Sequence, residues 1–224
     1  MISGCITKDY GLIASDSALW NPNNKTISFD NPKLMKIGNR HLMTYIGSQL
    51  FFTNIDIEKF KMPFDCLVVY LSEYFREINQ TVQDTFNGLV TDDKEKPAKI
   101  CVFILGVHNG APVLAQINSF LDFKPQFILS GDDIKFSGLY YGEDDIEKNE
   151  VFKKSTEYME ELAKKHEGKI TPGLAGEILT RGIYHKADLE EQIGDKVKYA
   201  GGVVSVATIY SNGQISSPSN LINI

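Results

Sequence analysis

The chain has 224 residues, 42% of them hydrophobic and 23% charged, with a net charge of -6 and a pI near 5.3. That is the make-up of an ordinary globular domain, read here as one domain over residues 1–224. The acidic balance excludes the basic footprint that nucleic acid requires and gives no reason to expect an anionic membrane as partner. No apolar run approaches the roughly 18 residues that span a bilayer, and no N-terminal stretch is laid out as a signal peptide, so the expected compartment is the cytoplasm.

Residues 2–8 and 11–19 are two β-prone runs with a turn signal at Asp9-Tyr10-Gly11. Residues 21–32, rich in Asn and Pro, read as a loop. Residues 33–38 and 41–46 form a second predicted hairpin around Gly38-Asn39-Arg40, and residues 48–60 a short helix. Pro63 opens a longer helix, in which Leu67, Tyr70, Leu71, Tyr74, Phe75, Ile78, Val82 and Phe86 recur at three- and four-residue steps. Ile100–Gly106 is a continuous apolar run, the mark of a strand buried on both faces. Asn109-Gly110 is a hairpin turn, with Pro112–Asn118 returning antiparallel.

Two short strands are expected at 126–130 and 135–141, then a helix over 144–166 with Ile146, Phe152, Tyr158, Met159 and Leu162 in phase. Thr171-Pro172 is a helix start, a capping hydroxyl before a first-turn proline, and that helix runs to Gln192. Val203–Tyr210, the turn Ser211-Asn212-Gly213 and a last strand close the chain. The order predicts an α+β fold, two antiparallel sheets face to face with a helix pair on each outer side.

The opening stretches ISGCITKDYGLIASDSALW and PKLMKIGNRHLMTYIGS carry Lys8-Asp9, Gly11, Ala14, Asp16, Lys33, Ile37, Gly47 and Ser48. In this pattern the chain resembles the proteasome-type subunits of the N-terminal-nucleophile hydrolases. Gly201-Gly202-Val203-Val204 is a second, shorter match. The resemblance implies a four-layer αββα sandwich and threonine-type peptidase chemistry. In that chemistry the first residue's hydroxyl attacks a carbonyl and its own α-amine is the base, with a pKa of about 7.7–8.0 suited to the task. A lysine keeps that amine neutral and lowers the hydroxyl's pKa, a carboxylate holds the lysine charged, and a backbone N–H stabilises the oxyanion. By resemblance Lys33 is the lysine, Asp16 the carboxylate and Gly47 the oxyanion donor, with no metal or cofactor. Strand alternation favours Lys33 over Lys36, since Lys33 would share its face with Met35 and Ile37 and need a buried partner, for which Asp16 is the candidate.

The chain departs from the pattern at the nucleophile. Aligned on Ile2–Asp9, the expected threonine falls before Met1; aligned on Gly11, Met1 itself takes the place, and a thioether has no proton to give up. The family's Gly-Ser-Gly turn corresponds to Ser137-Gly138-Leu139-Tyr140-Tyr141-Gly142. Its late aspartate and serine correspond to Val197 and Ala200, with Asp195 out of register. Cleavage at Gly4-Cys5 would expose a terminal thiol, but four residues of strand, about 13 Å, short of the family's position. Ser3 has no glycine before it.

The expectation is therefore a catalytically silent proteasome-like protein with a structural or assembly role. The resemblance implies self-association of the ring-like kind and a peptide or protein partner. The alternatives are an active peptidase or amidohydrolase with a processed or extended N-terminus, and a binder using the vacant cleft. The cysteines Cys5, Cys66 and Cys101 have no metal spacing and read as buried free thiols. His41, His108, His166 and His185 are scattered, and the acidic runs Asp132-Asp133 and Glu143-Asp144-Asp145 lack calcium-loop spacing. Phe51 and Phe52, after the Gly47-Ser48 step, either pack inward or form an interface.

Overall fold

The structure is a computed structural model, and it describes residues 1–17, 19–21, 26–28, 33–52, 55–89, 98–137, 146–166, 170–192, 203–216 and 222–223. The first hairpin pairs β1 (Ile2–Ile6) with β2 (Tyr10–Ser15). Its turn lies earlier than predicted, over Thr7–Asp9. The Thr7 hydroxyl accepts from the Asp9 and Tyr10 amides, a local bond that competes with extending the strand. Gly11 is inside β2 for a packing reason, since a Cβ there would sit 2.6 Å from a Leu105 methyl of the opposing sheet.

The expected loop over 21–32 contains β4 (Thr26–Ser28), which pairs antiparallel with β3 (Leu19–Asn21) at its start. Next come β5 (Met35–Ile37) and β6 (His41–Gly47), joined at Gly38, whose φ of +55° suits a residue without Cβ. The short helix expected at 48–60 is instead two 3₁₀ turns, Gln49–Phe52 and Ile57–Lys61. Phe51 is fully buried against Phe75 and Phe123, and Phe52 packs on Tyr45 and Phe75. The aromatics thus pack inward and form no exposed patch.

The helix α1 (Phe64–Leu89) is followed by β7 (Ile100–His108) and β8 (Ala111–Asn118), which turn at Asn109-Gly110 with φ of +52° and +75°. After β9 (Gln126–Leu129) and β10 (Lys135–Phe136) come α2 (Ile146–Lys164) and α3 (Pro172–Gln192). Ile146, expected on the apolar stripe of α2, is 76% exposed, because the helix packs from Val151 onward. The chain ends in β11 (Ser205–Tyr210), β12 (Ile215–Ser216) and β13 (Ile222–Asn223).

One sheet runs β10-β1-β2-β11-β12 and the other β13-β5-β6-β7-β8-β9. All their pairs are antiparallel except β13 with β5, a parallel join that the sequence reading lacked. Ile2, Ile6 and Ile13 of the first sheet meet Leu42, Phe103, Leu105 and Leu114 of the second, and this apolar layer fills the space between the sheets. On the outer side of the larger sheet, α1 and the 3₁₀ turns bury Leu67, Leu71 and Phe75 against Val102, Ile104 and Ile117. On the outer side of the smaller sheet, α3 packs on β1 and β2, and α2 on α3, around Leu12, Met159, Ile178 and Leu179. Each such side chain contributes about 1.5–3 kcal/mol by leaving water. The expectation of a helix pair on both outer sides is corrected: among the described residues α1 is the sole long helix on its side.

Candidate functional site

The hairpin register decides where the first residue stands. Ile2 pairs with Ser15, and the Asp16 amide donates to the Met1 carbonyl at 3.0 Å, so Met1 and Asp16 face each other at the hairpin's open end.

Asp16 Oδ1 accepts from Lys33 Nζ at 2.8 Å and also takes the Met1 α-amine. The Asp16 carboxylate is completely buried, and the Lys33 side chain is 5% exposed. Sequence reasoning thus named the right partners but gave the wrong reason for the burial of Lys33. Met35 and Ile37 face the α1 side, Leu34 faces the space between the sheets, and Lys33 precedes β5 altogether. Free of the pleat, its ammonium crosses to the end of β2 in the other sheet.

Burial pushes the Met1 α-amine down, from 8.0 to about 5. The Asp16 carboxylate opposes that shift, but Lys33 shares the same oxygen and works with burial. The amine is therefore neutral near pH 7 and donates an N–H to Asp16. Lowered that far, it is a weaker proton acceptor than an ordinary α-amine, whose pKa lies closer to working pH.

Met1 itself carries neither a hydroxyl nor a thiol, and the hydroxyls of the neighbouring serines are engaged in hydrogen bonds or contacts of their own. The Met1 side chain is buried in the helix-side core with Leu12, Met159 and Ile178. The Ser3 hydroxyl lies 3.6 Å from the Met159 sulfur, Ser15 donates to the Asp16 carbonyl at 2.9 Å, and Ser17 accepts the Val203 amide at 3.0 Å. Ser137 closes on the Gly4 carbonyl through both its amide and its hydroxyl. Cys5 lies mid-strand between Leu12 and Phe136, and burial pushes its thiol up to about 12. It is inert where it stands.

Gly47 ends β6, opposite Ile100, with φ of +106°. A Cβ there would lie 2.0 Å from the Lys99 carbonyl oxygen, so the backbone itself requires glycine. The stretch Gly138–Gly142, Asp195, Val197, Ala200 and Gly201-Gly202 lie outside the described residues, as does Glu143-Asp144-Asp145.

Lys186 was missed from the sequence. It is 2% exposed, lies 3.8 Å from the centre of the Phe152 ring, and donates to the Ile2 carbonyl at 3.3 Å, one residue from Met1. A signal existed: on α3 the buried positions Ala175, Leu179 and Ile183 recur at four-residue steps, and Lys186 follows three residues later, where the stripe demands an apolar side chain. Its charge also helps to push the Met1 amine down.

The remaining expectations divide. His41 is buried with Nε2 2.9 Å from the Met62 carbonyl, and the His185 ring lies tilted against Tyr158, 4.3 Å between centres. Cys101 is buried, but Cys66 is exposed on α1, which corrects the reading of three buried thiols. A shallow cleft of about 250 Å³, lined by Tyr10, Ile170, Pro172 and Tyr210, lies at the turn end of the first hairpin, away from Met1. No described helix is long and apolar enough to cross a membrane. Compared with known proteins, the chain matches no family model and no curated protein sequence.

Proposed function

We propose that this chain is a proteasome-like protein of the N-terminal-nucleophile fold, catalytically silent, with a structural or assembly role. The observation that carries the reading is the buried cluster at the hairpin end, where Asp16 holds both Lys33 and the α-amine of Met1. These are the amine, carboxylate and lysine that the chemistry would need, but the side chain beside them is a thioether packed into the core. The stacked sheets, with α1 outside one and α2 and α3 outside the other, agree with a four-layer αββα order. A labelled epoxyketone, which couples to a terminal nucleophile and its amine, is expected to leave the intact protein unmodified by mass spectrometry. Modification at the N-terminus overturns the silent reading.

The second reading is an active peptidase or amidohydrolase, and the placement of the Met1 amine against Asp16 and Lys33, where burial lowers its pKa toward the unprotonated form of a general base, is what favours it. N-terminal sequencing of the protein purified from its own cells separates the two, since the active form needs a Ser, Thr or Cys as its first residue. The cleft-binding alternative gains no support from the described residues, since Met1, Asp16 and Lys33 are all buried.

A further inference from the structure

We infer that Asn109 is a modification site, at which the folded chain converts asparagine to aspartate and isoaspartate without an enzyme. The chemistry needs an asparagine followed by a residue whose amide nitrogen can swing onto the side chain. Glycine suits that second place best, because no Cβ hinders the swing. The chain has three Asn-Gly pairs, beginning at Asn87, Asn109 and Asn212, and all three asparagines are exposed. Exposure therefore does not choose between them, whereas hydrogen bonding does. Asn87 lies in the last turn of α1, where the helical pattern takes up the Gly88 amide. Asn212 lies in the turn between β11 and β12. There the Gly213 amide donates to the Tyr210 carbonyl at 2.8 Å, and Asn212 Oδ1 accepts from the Gln214 amide at 2.9 Å. The attacking nitrogen and the group it must attack are both held. Asn109 and Gly110 are instead the bare tip between His108 and Ala111, which pair with each other. Among the described residues neither the Asn109 side chain nor the Gly110 amide has a hydrogen-bond partner. Nothing packs on the tip either, since a Cβ on Gly110 would meet no atom within 4 Å.

The step balances with water alone as co-reactant. A base from solvent takes the Gly110 amide proton, and the nitrogen attacks Asn109 Cγ. The new N–Cγ bond forms as the Cγ–Nδ2 bond breaks, and Nδ2 takes a proton from water and leaves as ammonia. Water then opens the cyclic imide at one of its two carbonyls. Opening at Cγ leaves aspartate with the main chain as it was. Opening at the backbone carbonyl leaves the chain running through Cγ, which is isoaspartate. Both products place a new negative charge on the tip. Aspartate keeps the turn, since Asp-Gly suits the same two-residue hairpin as Asn-Gly. Isoaspartate lengthens the main chain at the turn that sets the register of β7 on β8, two central strands of the larger sheet.

Timed incubation of the full chain at mildly alkaline pH, followed by digestion and tandem mass spectrometry, tests this. In the native chain Asn109 is expected to convert at least about tenfold faster than Asn87 or Asn212, because those two need a local opening first. Labelling by an isoaspartate methyltransferase should mark the Asn109 peptide and leave the other two unmarked. In urea the hydrogen bonds are gone, and the three rates should come together. An Asn109 that stays intact in the native chain, or an Asn87 or Asn212 that converts as fast, overturns the inference. So does a preference for Asn109 that persists unchanged in urea, since it would then come from the neighbouring residues and not from the fold. The inference stands apart from the catalytic reading, because neither Asn109 nor Gly110 belongs to the Met1 cluster.

Discussion

Replacing Asp16 by Asn isolates the electrostatics of the buried cluster, because the side chain keeps its shape and loses only its charge. In the folded chain one carboxylate oxygen holds the Lys33 ammonium at 2.8 Å and receives the Met1 amine, and no water reaches the Asp16 side chain. With Asn there, the Lys33 ammonium keeps its burial and loses its nearest counter-charge. Removing one partner of a buried pair costs about 3–5 kcal/mol, far more than an exposed pair is worth. For a chain of this size that corresponds to a fall in Tm of roughly 6–20 °C. The assay is urea unfolding of Asp16→Asn, Lys33→Met and the double variant. Lys33→Met removes the orphaned cation, so the double variant should be less damaged than the two single losses together, by about 1 kcal/mol or more. If Asp16→Asn costs less than about 1 kcal/mol, or the two losses simply add, the cluster is not held by charge and its burial has another cause.

Two further outcomes follow from the same packing. The Met1 amine, lowered by burial to about 5 from 8.0, binds fewer protons folded than unfolded between those values, so stability should fall as pH drops from 8 to 5, by up to about 4 kcal/mol. His41 is also lowered by burial and adds to the slope, so urea midpoints are compared with those of His41→Gln; a flat profile there removes the buried amine. Cys66 is exposed, whereas burial raises the thiols of Cys5 to about 12 and of Cys101 well above the usual range. A thiol reagent should therefore titrate one cysteine per native chain at once and the other two only on unfolding, and two fast thiols would contradict the packing.

Where the sequence reading succeeded, the signal was local and periodic. The stripe of α1, the Thr171-Pro172 start of α3 and the Asn109-Gly110 turn needed nothing beyond their own windows. Where it failed, a partner elsewhere decided. Residues 48–60 carry apolar side chains that suit a helix, but the first 3₁₀ turn, Gln49–Phe52, docks both Phe51 and Phe52 on Phe75 of α1. Residues 21–32 look like loop because β4, three residues long, pairs among the described residues with β3 alone, itself only three residues.

The candidate site divides in the same way. Lysine and aspartate at positions 33 and 16, glycine at 47 and methionine at 1 were determined by the residues alone, and so was the chemistry each type can or cannot perform. Tertiary structure decided that Asp16 holds two nitrogen atoms on one oxygen, that Lys33 reaches it from the other sheet, and that Lys186 closes in from α3. It also decided that Gly47 is needed by a carbonyl at Lys99. The reason is distance along the chain. Met1 and Lys186 are 185 residues apart, and only the stacking of a helix on a sheet brings their charges within reach, so no pattern in either segment announces the other.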